Sequence, residues 1–195
     1  ELSEIFNGNE ALIKKYAEKL SISFERVEYA KNNFIRVVKV MKAFILNDSV
    51  KSFLCLNNKL PQGNKGLFDI KLLEEFADAI IKLYGIKGLK GKDLLYSINS
   101  EDYDAKRAEF IQRLSKGEKL FVISSYNTVG AGQNLQYKAP GNATIVAVND
   151  YDRGDMEKDF DCIYLEKPTN LLVNVDSKKG IEAEDLIPVS YTHLR

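Results

Sequence analysis

At 195 residues, 45% of them hydrophobic and 29% charged, the chain has the length and composition of one globular domain with a sizeable core. Its 28 Lys and Arg balance 28 Asp and Glu, which excludes the basic footprint of a stand-alone nucleic-acid binder but not a domain that meets a strand along one edge. Two cysteines exclude a disulfide framework, no apolar run reaches the length of a membrane span, and a reducing cytoplasm with no membrane partner is the expected setting.

Residues 1–47 read as a helical segment. Asn9 can cap a helix running through Leu20, with Leu12, Ile13, Tyr16, Ala17 and Leu20 on one face. Ser23 can cap a second, Phe24 to Leu46, whose Val27, Phe34, Val37, Val38, Met41, Phe44 and Ile45 are apolar. Lys14, Lys15, Lys31, Arg36, Lys39 and Lys42 populate the opposite faces and read as solvated surface. From Asp48 the texture changes. Ser52–Leu56 is a short buried-strand signal, a loop with Pro61, Gly63 and Gly66 follows, and Asp69 caps a helix from Ile70 to Tyr84 that stops at Gly85. The Lys-rich stretch Gly85 to Asp93 reads as a basic surface loop. Leu94–Ile98 is a second strand, Ser100 caps a helix to about Ser115 with Gly117 past its end, and Leu120–Ser124 is a third strand.

Ala143–Val148 is expected as a fourth strand and Cys162–Leu165 as a fifth. Between them, the acidic runs Asp150–Asp155 and Asp159-Phe160-Asp161 lack the spacing of a calcium loop and read as solvated turns, so no metal site is expected. Cys55 and Cys162 sit inside apolar runs as buried free thiols. The end of the chain, Val189-Ser190-Tyr191-Thr192-His193-Leu194-Arg195, resembles translated sequencing-adapter read-through. The natural sequence is then expected to stop near Pro188, as a fragment of environmental DNA open at both ends. His193 is the single histidine; without it neither a Ser-His-Asp nor a Cys-His centre can be built, nor a His-containing zinc site. Strands alternating with helices predict an α/β fold, a parallel sheet flanked by helices and preceded by the helical segment.

The richest stretch follows the third strand. Ser124, Ser125 and Thr128 offer hydroxyls, Gly130 and Gly132 permit positive φ and close backbone approach, and Gln133 and Asn134 offer amides that donate and accept. A phosphate needs short donors on a backbone without Cβ obstruction, and ligands of open α/β sheets bind outside the carboxyl ends of the strands. Glycine used for turn geometry alone is the plainer reading of the same loop.

A strand followed by Ser-Ser-x-x-Thr-x-Gly-x-Gly-x-Asn-Leu resembles motif V in the second RecA-like domain of superfamily 2 helicases and translocases. Ser52–Leu56 would correspond to that family's motif IV strand, and Arg107–Gly117 to the helix leading into motif V. Cys162–Pro168 would be the strand after it. The resemblance covers roughly residues 50–175 and implies a partial RecA-like C-terminal domain over residues 48–188 with a linker or insertion over 1–47, the adapter-like run 189–195 being set aside as an artefact. By position it makes Ser124, Ser125 and Thr128 contacts to a nucleic-acid backbone, DNA ahead of RNA. Gly130, Gly132, Gln133 and Asn134 become the loop that couples those contacts to ATP. The family's Asp near Asn134 is not present here.

The resemblance puts ATP and Mg²⁺ mainly on a first motor domain that this sequence does not contain. Gly85–Asp93 misses a Walker A motif by one residue and has Asp93 where Ser or Thr must meet Mg²⁺. Asn149-Asp150 resembles half of a Walker B site but reads as a strand-ending turn, no Asp-Glu pair follows a strand, and the arginine-finger motif does not occur. A full-length protein is therefore expected to be an ATP-dependent helicase or translocase, while this chain alone should be inactive. Two alternatives stand beside it. One is a non-catalytic interaction module on the same fold. The other, a dinucleotide-binding oxidoreductase, needs a third glycine where Leu135 stands.

Overall fold

The structure, a computed structural model, describes residues 1–25, 27–57, 69–99, 101, 103–129, 135–141 and 157–166. Three helices open the chain: α1 (Leu2–Ile5), α2 (Glu10–Ser23) and α3 (Glu28–Leu46). Asn9 caps α2 as its sequence predicts, accepting from the Leu12 amide at 3.1 Å. Ser23 does not cap α3; it is the last residue of α2, and α3 starts after Val27 with no side-chain cap. Burial overrides the capping signal here. Phe24 turns inward, is 6% exposed and packs on Phe34, so the break falls after it rather than before it.

The sheet follows. Strand β1 (Ser52–Asn57) leads to helix α4 (Ile70–Leu83), a short helix α5 (Gly91–Leu94) and strand β2 (Leu95–Ser97). Helix α6 (Tyr103–Ser115) leads to β3 (Leu120–Ser125), and β6 (Cys162–Leu165) closes the sheet after a small antiparallel pair, β4 (Tyr137–Lys138) and β5 (Glu157–Lys158). The main sheet is parallel throughout, in the order β2-β3-β1-β6. A four-stranded parallel sheet flanked by helices, preceded by a helical segment, is the α/β fold expected from the sequence and is consistent with a RecA-like arrangement. The expected strand Ala143–Val148, the cap Ser100, the loop with Pro61, Gly63 and Gly66, the cluster Asp150–Asp155 and the run 189–195 with His193 lie outside the described residues.

Alternation along β1 and β3 decides which helix covers which face. Phe53, Cys55, Phe121 and Ile123 join a core with α1, α2, α3 and α4, in which Phe44 meets both Phe53 and Phe121 and Phe76 meets Phe6, Tyr16 and Phe34. Leu54, Leu56, Leu120 and Val122 face the other way, onto Phe110 and Leu114 of α6 and onto Tyr137. From β1 the chain hops over β3 to reach β2; from β3 it hops over β1, in the opposite sense, to reach β6. Two crossovers of one hand that travel in opposite senses must cover opposite faces, as these do. Ile163 and Leu165 of β6 share the α6 face but remain 57% and 56% exposed.

Three local readings change. The basic row is not merely solvated: Lys39 pairs with Glu4 at 2.8 Å, Lys42 donates to the Glu4 carbonyl at 2.5 Å, and Arg36 reaches Glu166. The Lys-rich loop is sewn down at its end, where the Gly91 amide donates to Asp78 at 2.7 Å. A Cβ on Gly91 would stand 2.4 Å from the Glu74 carbonyl oxygen, so only glycine fits. Asp161 is not a solvated turn. Its Oδ2 accepts from the Lys51 and Ser52 amides at 2.8 and 2.9 Å while its other oxygen pairs with Lys158, fastening the start of β6 to the start of β1. Burial alone would raise the Asp161 carboxyl, but the bonds from Lys158, Ser52 and Lys51 outweigh it and hold the group below its ordinary value.

Gly91→Ala is expected to cost about 1–3 kcal/mol through forced displacement of backbone, read as a lowered urea midpoint with unchanged slope. Asp161→Ala is expected to cost about 1–3 kcal/mol at neutral pH, because two amides lose their acceptor. Since the folded pKa is lowered, the carboxylate's contribution is complete above the ordinary value of 3.8 and is lost as the pH falls below it. Urea titrations of both proteins in steps down to about pH 2 should show the gap between them closing at the acid end.

Candidate functional site

Strands β1 and β3 are neighbours, yet the chain leaves them for opposite faces. Their carboxyl ends therefore flank a topological switch point, where an open sheet leaves a crevice. Asn57 and Ser125 are the last Cα partners of this pair and lie on the same face, following Cys55 and Ile123 by two residues. Sequence chemistry and sheet topology thus converge on one spot.

The polar end of β3 curls into a hydroxyl turn. Ser125 Oγ lies 2.9 Å from Thr128 Oγ1, the Thr128 amide donates to Ser125 Oγ at 3.2 Å, and the Thr128 and Val129 amides both reach the Ser125 carbonyl at 3.1 Å. A serine that gathers the following backbone over its own hydroxyl in this way competes with continued strand. Ser125 is 6% exposed, Thr128 is half-buried, and both belong to one turn. Ser124 is not brought to them. It is fully buried and its hydroxyl donates to the Ile98 carbonyl at 3.2 Å, facing the α6 side. Gly130, Gly132, Gln133 and Asn134 lie outside the described residues.

Around the turn stand groups that the sequence reading passed over. Asn57 is 0% exposed, and among the described residues neither its Oδ1 nor its Nδ2 has a hydrogen-bond partner. Its carbonyl accepts from the Tyr126 amide at 3.2 Å. Directly beyond β6, Glu166 is 2% exposed, its amide bonded to the Leu56 carbonyl at 3.0 Å and its own carbonyl accepting from the Tyr126 hydroxyl at 2.6 Å. The Glu166 carboxylate takes a fork from Arg36, 2.5 Å from one guanidinium nitrogen and 3.2 Å from Nε, and a bond from the Tyr164 hydroxyl at 2.7 Å. The signal for Glu166 was an acid directly after an apolar strand; nothing near it in sequence named Arg36 as its partner.

The electrostatics follow from this burial. The bond to Glu166 holds the Arg36 guanidinium above its ordinary value, so the arginine stays charged. Burial, reinforced by Glu166, pushes the Tyr164 hydroxyl up to about 12 and raises Tyr126, which keeps both phenols neutral donors. Burial likewise pushes the Cys55 thiol up, so it stays protonated and inert. Among the described residues no three His, Cys, Asp or Glu side chains gather as a metal site, and the chemistry of the turn is that of neutral hydroxyl and amide donors. Among the described residues no helix is long and apolar enough to cross a membrane.

Neither a protein-family model nor a curated protein matches this sequence.

Among the described residues nothing offsets the burial of the Asn57 amide, and a buried amide with no partner forfeits its bonds to water. Asn57→Leu, similar in shape, is expected to stabilise the chain by about 1–3 kcal/mol, seen as a higher urea midpoint. A lower midpoint would show that the amide is satisfied in solution.

Proposed function

We propose that this chain is the second motor domain of an ATP-dependent nucleic-acid helicase or translocase of superfamily 2. The single observation that carries the reading is the Ser125–Thr128 hydroxyl turn at the switch point, where the sequence pattern of motif V falls. The Thr128 and Val129 amides are turned onto Ser125, so what the turn offers a phosphate along the carboxyl edge is the hydroxyl proton left over from the Ser125–Thr128 bond. Such contacts fix register on a strand and carry no base information, so the domain binds with little sequence preference. Backbone contact also matches a chain of balanced charge, since the donors are neutral and local.

In the full motor, ATP and Mg²⁺ are held mainly by the first domain and supply phosphoryl-transfer chemistry. Within this chain, Ser125 and Thr128 grip the phosphate backbone. The stretch with Gly130, Gly132, Gln133 and Asn134 passes the state of that grip to the cleft. DNA is the polymer we favour, and the first RecA-like domain of the same protein is the partner across the cleft.

The test is an ATPase assay on a full-length protein carrying both motor domains, with and without single- and double-stranded DNA and RNA. Thr128→Ala and Asn134→Ala are each expected to reduce nucleic-acid-stimulated hydrolysis by roughly tenfold or more, while hydrolysis without polymer and the fold stay intact. Hydrolysis that no polymer stimulates in the unsubstituted protein overturns the reading. It would favour a binding module built on a motor scaffold.

A further inference from the structure

The helical segment reaches into the candidate site through one side chain. Arg36, on α3, is separated from Glu166 by 130 residues, and its guanidinium forks onto a carboxylate that is 2% exposed. Glu166 in turn holds three things at once. Its amide ties β6 to Leu56 of β1, its carboxylate takes Arg36 and Tyr164, and its carbonyl takes the Tyr126 hydroxyl. Tyr126 directly follows Ser125 and is one of the two residues between it and Thr128, the two hydroxyls of the turn, and its amide is fixed to the Asn57 carbonyl. An unbroken set of bonds therefore runs from α3 through Glu166 and Tyr126 to the Ser125–Thr128 turn.

We infer that Arg36 is a positioning residue for the candidate site: by holding Glu166 inside, it sets the placement of Tyr126 and hence of the hydroxyl turn. The physical argument is about what happens without it. A carboxylate at 2% exposure that loses its charge partner is strongly driven toward water. Moving it outward shifts its own carbonyl, and with that carbonyl goes the acceptor of the Tyr126 hydroxyl. The turn then keeps its internal Ser125–Thr128 bond but loses its outer anchor. The helical segment thereby becomes a point of control: any partner or neighbouring domain that competes for Arg36, whose side chain is 42% exposed, changes the grip of the turn. For its functional half the inference rests on the reading of Ser125 and Thr128 as phosphate contacts.

The experiment uses the 195-residue chain, comparing wild type with Arg36→Gln, Arg36→Lys, Tyr126→Phe and the Arg36→Gln/Tyr126→Phe double variant. Two readouts are taken: the backbone amide resonances of Thr128 and Val129 without ligand, and affinity for an oligothymidylate at fixed salt. Arg36→Gln is expected to move both amides while those of α6 stay in place, and to weaken oligonucleotide binding roughly threefold to thirtyfold. Arg36→Lys, which keeps the charge but loses the fork, should have a smaller effect in the same direction. On the Tyr126→Phe background, Arg36→Gln should move Thr128 no further, because the connection is already cut. Arg36→Gln leaving Thr128 and Val129 at their wild-type positions overturns the inference, as does an Arg36→Gln effect undiminished in the double variant. Should Arg36→Gln unfold the chain, Arg36→Lys alone and on the Tyr126→Phe background decides by the same criteria. A wild-type chain that binds no oligonucleotide removes the proposed function, and the amide shifts still decide whether Arg36 places the turn.

Discussion

Two parallel strands with every side chain buried impose the strictest constraint in this molecule. All six residues of β1 and all six of β3 are buried, so neither face of the pair can be left to water. One face takes α1 to α4, with Phe44 of α3 seated against both Phe53 and Phe121; the other takes α6 and the β4–β5 pair. Covering both faces from a single chain forces it to leave β1 and β3 in opposite senses. The crevice at their carboxyl ends is a by-product of that requirement, and it is where the polar residues collect.

The fourth strand is held by a different force. β6 has only four residues, too few to fix its own register by packing, and its Ile163 and Leu165 are exposed. A carboxylate brackets it at each end. Asp161 accepts from the first amides of β1, and Glu166 is gripped from α3 and bonded to Leu56. Charged groups taken from water contribute little net stability, because desolvation offsets their attraction. What such pairs give is a single allowed placement: shifted by one residue, either carboxylate would be buried without partners. The short strand thus has its position dictated electrostatically at both ends, and the polar edge inherits that position.

Much of this was legible in sequence, and the illegible part has a common cause. Asn9 and Asp69 announced their helices because a cap is satisfied within three residues. Gly85 and Gly117 announced helix ends for the same local reason, each adopting positive φ while the next amide folds back five residues. The apolar runs of β1, β3 and β6 fixed the strands to within a residue, and hence the α/β class. At the candidate site, the pairing of Ser125 with Thr128 follows from a spacing of three. Ser124, read as a third contact, is taken by the Ile98 carbonyl because strand alternation points it to the other face. Asp161 and Glu166 were misread or unremarked because their partners lie more than a hundred residues away, where local pattern carries no information. Ser23 failed as a cap because its neighbour Phe24 had a stronger claim on the core.

The order of strands also sets a timetable. Of the strands of this sheet β1 is synthesised first, yet both of its neighbours come late: β3 is complete only at Ser125, and β6 brings Asp161 to Ser52 across 109 residues. At about 5–20 residues per second, ribosomal synthesis leaves β1 waiting roughly 5–20 s before its second edge is filled. During that interval Phe53 and Cys55 can already lean on α3, which precedes them and contacts them in the finished core. The early helices, in that sense, act as a built-in chaperone for the central strand, shielding one of its faces while its hydrogen-bonding edges wait for chain not yet made.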